Sequence, residues 1–161
     1  MKPVVRRLTP SDHLAIAALW HSSWHDAHAS LLPQNVVQER TVETFASRLE
    51  ELAQDSFIAV LDGIPIAFGA LHENEVDQFY VASAYRGTGV AKLLLSVLEG
   101  ELRARGVVDA QIQCAHGNRR AHAFYVKNGW TDTGLWNCPL WTPDGRVETR
   151  PTHLFAKRLG S

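Results

Sequence analysis

A glycine-containing turn near the middle of the chain restricts the fold more than any other feature. The turn is Arg86-Gly87-Thr88-Gly89-Val90-Ala91; the strand-like segment 76–81 precedes it, and 92–99 follows with helical periodicity. The first N–H groups of a helix have no partner within the helix, and the helix dipole favours negative charge there. Gly87 and Gly89 have no Cβ, so the backbone can turn sharply and approach an anion closely. The pattern therefore predicts an α/β unit with an anion site, to which Arg86 adds a permanent positive charge.

The turn differs from two well-known glycine-rich motifs that bind phosphate. No Gly-Lys-Ser/Thr sequence follows it, which excludes a Walker loop. Lys92 stands where the dinucleotide-binding motif needs its third glycine. Another type of phosphate-binding turn is therefore indicated.

The turn resembles the pyrophosphate loop of the GNAT superfamily, the acyl-CoA-dependent N-acyltransferases. Arg86, Gly89 and Ala91 match its signature Gln/Arg-x-x-Gly-x-Gly/Ala, and the preceding segment 79–81 is similar to the aromatic strand end of that family. A second family motif, N-x-x-A-x-x-F-Y-x-x-x-G-F, is matched over 118–130, with Trp in place of the final Phe. Two motifs at the family spacing identify the chain as a member.

This resemblance implies a fold, a reaction and a co-substrate. The expected fold class is α/β, the GNAT fold, with a mixed central sheet of about six to seven strands flanked by about four helices, in a single domain over residues 1–161. The expected function is transfer of an acetyl group from acetyl-CoA, by direct attack and without a metal, to a primary amine. A small molecule, an amino acid or a peptide N-terminus would serve as acceptor. The alternative is a non-catalytic module that binds or senses acyl-CoA.

Composition and charge restrict the partners and the compartment. Sixteen basic residues against seventeen acidic ones give a net charge of −1, which argues against a general nucleic-acid binder. Only two cysteines are present, so a disulfide framework is not indicated and a reducing cytoplasm is expected. No apolar run approaches the length of a membrane span, so no membrane partner is expected. Many relatives form homodimers, and the oligomeric state stays open.

Local patterns predict the elements around the turn. Helical periodicity is present from residue 12 to about 28 and from about 35 to 52. Asp62-Gly63 between two apolar runs predicts a β-hairpin. Further strands are predicted over 3–8, 76–82, 107–114, 130–137 and 153–157, with a helix over 119–128. These patterns alone indicate α/β and nothing finer.

The resemblance also assigns the residues that bind acetyl-CoA. Backbone groups of the turn would bind the pyrophosphate, and those of the strand end would hold the acyl carbonyl and the pantetheine. One strand N–H, near Val81, would polarise the carbonyl. Asn118 would cap a helix and contact the pantetheine. The complete set is Phe79, Tyr80, Val81, Arg86, Gly87, Thr88, Gly89, Val90, Ala91, Asn118 and Tyr125.

Two residues are expected to be catalytic. Tyr125 occupies the position from which the family often protonates the departing thiolate, and a tyrosine is protonated at neutral pH. Glu75 occupies the place of the family's strand glutamate, six residues before Val81, and is the first choice for the base that deprotonates the amine. Asp77 is the second choice, and His72, His116 or a water molecule also stay open. A period of two places Glu75 and Asp77 on the same strand face as Phe79 and Val81.

The acceptor site is expected between the first two helices and the loop joining the last strands. Aromatic and histidine side chains are frequent there, and aromatic faces attract cations. The pairs Trp20/Trp24 and His21/His25 each share a helix face, although core packing is favoured for Trp20. The remaining members of this expected pocket are His28, Trp136 and Trp141.

Overall fold

A computed structural model describes residues 2–160 of the chain. It contains a seven-stranded mixed sheet and five α-helices, one more helix than predicted. The strands are β1 (Val4–Arg7), β2 (Ser56–Leu61), β3 (Ile64–His72), β4 (Glu75–Val81), β5 (Asp109–Ala115), β6 (Thr131–Pro139) and β7 (Thr149–Arg158). The helices are α1 (His13–His28), α2 (Gln34–Glu39), α3 (Val42–Leu52), α4 (Val90–Ala104) and α5 (Arg119–Lys127). Across residues 2–160, no helix has the length and apolar character needed to cross a membrane.

The sheet separates two layers of core. The strand order is β1-β2-β3-β4-β5-β7-β6, and β4 with β5 is the parallel pair. On one face, α4 and α5 contribute Leu94, Leu98 and Tyr125 to a cluster that includes Phe155 of β7. On the other face, α1 and α3 contribute a second cluster that includes Trp20. Full burial of such a side chain stabilises the fold by about 1.5–3 kcal/mol, so the hydrophobic clusters on both faces stabilise the sheet.

The β2–β3 connection confirms the predicted hairpin. Asp62 and Gly63 have φ values of 52° and 78°. Two successive residues with positive φ are typical of a type I′ turn, whose twist matches that of the flanking strands. The Asp-Gly dipeptide therefore determines this connection locally.

The prediction of a single helix over 35–52 is wrong, because the helix is interrupted at Arg40. Its ψ of 71° is not helical, and α2 ends at Glu39. Thr41 then starts α3, since its side chain accepts a hydrogen bond from the N–H of Thr44 at 3.2 Å. The apolar periodicity continues across the break, which is why the sequence pattern conceals it.

Strands β4 and β5 separate soon after they meet. They pair only at Glu75–Gln111 and Val76–Ile112, whereas β4 pairs with β3 as far as Val81. Beyond Val76 the edge of β4 that faces β5 has no ladder partner. A gap therefore opens in the middle of the sheet, with backbone N–H and C=O groups exposed along it.

Candidate active site

The gap between β4 and β5 opens into a cleft of about 380 Å³. Its walls include β4 and β5, the glycine turn before α4, and residues of α1, α3 and α5. The segment Pro139–Trp141 and Arg150 of β7 close one side. The two sequence motifs, far apart along the chain, therefore meet at one cavity.

The glycine turn has the geometry of an anion cradle. Gly87 and Gly89 have φ values of 77° and 90°, and a Cβ built on either one would meet no atom within 4 Å. The positive φ of both residues favours glycine over residues with a side chain. Both glycines also border open space that a ligand could occupy. Helix α4 begins directly afterwards, at Val90. The free N–H groups of its first turn lie next to this space.

The predicted loop residues differ in their position relative to the cleft. Arg86, Gly87 and Ala91 line it. Val90 is buried in the core, so only its backbone can serve a ligand. Thr88 and Gly89 are exposed outside the cleft wall, and the Thr88 hydroxyl donates to the carbonyl of Tyr85 at 2.5 Å.

Arg86 is held in place by α1. Its guanidinium donates to the Asp26 carboxylate at 2.6 Å, and Arg120 lies 3.7 Å from the same carboxylate. The hydrogen bond from Arg86 lowers the pKa of Asp26. Helix α1 thereby orients two cations at the mouth of the cleft.

The end of β4 presents a backbone donor to the gap. The N–H of Ala82 donates a hydrogen bond to the carbonyl oxygen of Ile66 in β3 at 2.9 Å. Because successive N–H groups alternate in direction along a strand, the N–H of Val81 points the other way, toward the gap. The Phe79 ring stacks on Phe124 of α5, with centroids 5.8 Å apart.

A β-bulge in β4 corrects the predicted placement of Glu75. Gln78 pairs with Ala70 and Val76 with Leu71, which leaves Asp77 as an extra residue. Val76 consequently packs in the same cluster as Phe79 and Val81. A bulge shifts the alternation of side chains by one, so Glu75 lies on the opposite face, with Tyr80. The prediction that Glu75 and Asp77 share a regular strand face with Phe79 and Val81 is therefore wrong, because Asp77 is the bulged residue and Glu75 lies on the other face.

Glu75 lines the cleft with a perturbed carboxyl group. Burial, aided by the charge of Asp77, raises the pKa of Glu75 to about 7. Asp77 also lines the cleft. The other two side chains considered as the base lie elsewhere: His72 is exposed beside Glu73, and His116 is exposed outside the cleft wall.

Tyr125 enters the cleft from the opposite wall. The residue is 5% exposed, and its ring lies edge-on to Phe79 and Phe155. Burial raises its pKa above the usual range, so the phenol keeps its proton at neutral pH. Asn118 also lines the cleft, and its side chain caps α5 by accepting from the N–H of Ala121 at 3.3 Å.

Three arginines that sequence reasoning missed line the same cleft. They are Arg40 after α2, Arg48 of α3 and Arg150 of β7. All three are near Tyr80, and their charges oppose the rise in its pKa that burial causes. No local motif marks them, because they come together only through the tertiary fold.

Residues 16–130, most of the chain, match the model of the acetyltransferase (GNAT) family. The chain belongs to the GNAT acetyltransferase family. Membership makes the protein an acyltransferase that uses an acyl-CoA co-substrate, and it favours an enzyme over a non-catalytic binding module. No match was found among curated protein sequences.

Solved structures of similar fold include several N-acetyltransferases. A GCN5-related N-acetyltransferase from Rhodopseudomonas palustris has 23% identity and a TM-score of 0.77, over 98% of this chain and 96% of that one. The PaiA N-acetyltransferase from Thermoplasma acidophilum, in complex with coenzyme A, has 18% identity and a TM-score of 0.72, over 98% and 99%. The putative acetyltransferase YncA from Salmonella typhimurium, with acetyl-CoA, has 16% identity and a TM-score of 0.73, over 100% and 96%. The likeness confirms the predicted GNAT fold.

The aromatic pocket predicted for this GNAT protein is formed only in part. Trp24, His28 and Trp141 line the cleft. Trp20 is fully buried in the core, as favoured, and Trp136 is 56% exposed on β6. His21 and His25 do not line the cleft; their rings contact each other at a tilt of 46°, with centroids 4.4 Å apart.

A histidine–aspartate cluster lies outside the cleft. Asp132 accepts hydrogen bonds from His122 at 2.9 Å and His153 at 2.8 Å, and His153 contacts His116 at 3.0 Å. The ligand atoms of His122, Asp132 and His153 all lie within 4.8 Å of one another, a spacing at which a metal could bind. The hydrogen bonds already connect α5 to β6 and β7.

Proposed function

We propose that this GNAT protein transfers an acetyl group from acetyl-CoA to a primary amine by direct attack. The observation that carries the proposal is the gap between β4 and β5, because Glu75, Tyr125 and the glycine turn all border the cleft that it opens. The acceptor would be a small molecule, an amino acid or a peptide N-terminus. When bound, acetyl-CoA supplies an activated carbonyl and a thiolate leaving group.

The protein residues divide the work between binding and proton transfer. The N–H groups at the start of α4 and the Arg86 guanidinium bind the pyrophosphate. The unpaired edge of β4 from Phe79 to Val81 pairs with the pantetheine amides, and Asn118 contacts the same arm. The N–H of Val81 donates to the carbonyl oxygen and stabilises the negative charge that develops there.

Glu75 and Tyr125 move the two protons. Glu75, directly or through a water molecule, accepts the proton of the acceptor ammonium, and the freed nitrogen forms the C–N bond. As the C–S bond breaks, Tyr125 donates its phenolic proton to the sulfur. The second proton, which the nitrogen loses as the amide forms, returns to the Tyr125 oxygen, and the proton on Glu75 is released to solvent. The closeness of the two substrates in one cleft supplies much of the rate.

Calorimetric binding of acetyl-CoA tests the co-substrate site. Gly89→Trp combines a strained φ of 90° with a large side chain on the turn whose N–H groups would bind the pyrophosphate, so binding should be lost. Gly100→Ala is the matched control, because Gly100 lies inside α4 with no atom within 4 Å of the added Cβ. Failure of the folded wild-type protein to bind acetyl-CoA would overturn the proposal.

Thiol release with a panel of amines then tests the transfer itself. Release that depends on an added amine, with formation of the N-acetyl product, supports direct acetylation. Binding of acetyl-CoA without release for any primary amine would favour the non-catalytic module instead.

A further inference from the structure

Three arginine side chains in the cleft carry positive charge without an acidic partner. Within residues 2–160, Arg40, Arg48 and Arg150 form no ion pair, although both Glu75 and Asp77 line the same cleft. Burial lowers the pKa of each arginine, and for Arg40 the pKa falls to about 10. Arg40 is buried, and Arg48 and Arg150 are partly buried. Glu39 acts on Arg40, and Asp77 and Glu51 act on Arg48, only through space and without an ion pair. Cations held in this way are costly, and an anionic ligand would offset that cost.

Arg40 has an unsatisfied donor within this group. The residue is 3% exposed, and its Nη2 donates to the carbonyl of Trp141 at 2.5 Å. Its Nη1 is buried with no hydrogen-bond partner. A buried donor of this kind is rare in folded proteins and costs free energy until a ligand satisfies it.

Tryptophans hold two of the guanidinium groups in fixed orientations. Arg40 lies 5.0 Å from the ring centroids of both Trp24 and Trp141. Arg48 lies 4.5 Å from Trp141 and 4.8 Å from Trp20. Arg48 and Arg150 make no side-chain hydrogen bond to any part of the chain from residue 2 to residue 160. The side-chain donors of Arg48 and Arg150, and Nη1 of Arg40, are therefore not used by the protein itself.

The arginines lie on the acceptor side of β4. The charges of all three arginines act on Tyr80, which packs with the cluster formed by α1 and α3. The glycine turn leads into α4, on the opposite face of the sheet. Glu75 points to the Tyr80 face because of the bulge at Asp77. The acceptor side of the cleft therefore presents carboxylates toward an ammonium and guanidinium groups toward an anion.

We propose that the acceptor amine also carries an oxyanion, in the first place a carboxylate as in a free amino acid, which Arg40, Arg48 and Arg150 bind. Guanidinium groups match carboxylate and phosphoryl oxygens with paired, charge-assisted hydrogen bonds. This inference rests on the proposed acetyl transfer and narrows its acceptor class. An amine without an anionic group, or the N-terminus of an uncharged peptide, would leave the three guanidinium groups without a paired anion.

The test compares acceptors that differ only in the anion. The probes are the L-amino acids, each beside its carboxamide, with aminophosphonic acid analogues of the best substrates. One charged hydrogen bond corresponds to about a tenfold to hundredfold effect on binding, so kcat/KM for the acid should exceed that of its amide by at least that factor. A preference for the phosphonate over the carboxylate would keep the oxyanion site and identify a phosphoryl-type acceptor.

Variants connect that preference to the arginines. Arg150→Gln should raise KM for the acid about tenfold or more and leave the amide nearly unchanged, so the preference collapses. Arg158→Gln, on the same strand but exposed, is the control and should keep the preference. Affinity for acetyl-CoA, measured by calorimetry, should stay the same in both variants.

The outcomes separate the inference from the proposed function. Equal turnover of acids and amides would refute the oxyanion site and leave amine acetylation intact. Weaker acetyl-CoA binding in Arg150→Gln would also refute it, since the arginines would then serve the co-substrate. If no amine is acetylated, the proposed function fails and the acceptor assignment fails with it.

Discussion

The protonation of Glu75 predicts a specific pH dependence of the reaction. With a pKa of about 7, the carboxylate form makes up about a tenth of the molecules near pH 6 and about nine tenths near pH 8. If the carboxylate form is the base, kcat/KM rises about tenfold over this interval. Steady-state thiol release at saturating acetyl-CoA, from pH 5.5 to 9, measures this directly.

Substitutions at Glu75 and Asp77 should change this pH profile in two different ways. Glu75→Gln removes the base, so kcat/KM should fall about a hundredfold to ten-thousandfold and lose the inflection near neutrality. Asp77→Asn removes a negative charge that raises the pKa of Glu75. Its inflection should therefore move to lower pH, and at pH 6 it should retain a larger share of its maximal rate than the wild type.

Controls exclude other sources of the pH effect. The acceptor ammonium also titrates and contributes to the pH profile. The profiles of the wild type and the variants are therefore measured with the same acceptor, so that this contribution is common to all of them. Glu50→Gln, exposed on α3, should reproduce the wild-type profile. If Asp77→Asn is inactive at every pH while Glu75→Gln keeps the wild-type profile, Asp77 is the base and the reasoning about Glu75 is refuted.

Three further predictions concern the acid, an ion pair and the histidine–aspartate cluster. Tyr125→Phe should lower kcat about a hundredfold with little change in acetyl-CoA affinity by calorimetry, whereas an unchanged kcat would show that water protonates the thiolate. Asp12, which accepts two bonds from Arg6 at 2.8 and 3.0 Å, has a lowered pKa. Asp12→Asn should lower the free energy of unfolding, measured in urea at pH 7, by about 1–3 kcal/mol. The ion pair with Arg6 stabilises only the ionised carboxylate, so this difference should shrink as the pH falls below about 4. A difference that stays constant with pH would contradict the ion-pair explanation. Incubation with EDTA should leave both the melting temperature and the turnover unchanged if the cluster is held by its hydrogen bonds, and a loss of either would indicate a bound metal.

Features encoded by local chemistry could be predicted from the sequence. The Asp62-Gly63 hairpin and the glycine turn follow from residues that tolerate positive φ. The cap of α5 follows from Asn118. These residues determine the backbone within a few positions, so a pattern search finds them without knowledge of the tertiary structure.

Features that depend on register or on convergence could not be predicted. An extra residue in β4 changes no composition and no periodicity that a short window detects, yet it turns Glu75 to the other face. The helix ends at Arg40, whose guanidinium lies between two tryptophans from distant segments, a placement that a sequence window does not contain. The three arginines were therefore missed, although Trp24, His28 and Trp141 of the expected acceptor pocket do line the cleft. The co-substrate residues, which belong to contiguous motifs, could be assigned from the sequence.

The short pairing between β4 and β5 has a mechanical consequence for the whole domain. Strands β1–β4 and strands β5–β7 form two blocks of sheet whose ladders meet at only two residue pairs. A ligand arm that pairs with the free edge of β4 while contacting α5 would bridge these blocks. Occupancy of the cleft should then slow amide hydrogen exchange in β4 and β5 together, so that the substrate acts as a removable crosslink between the two halves of the sheet.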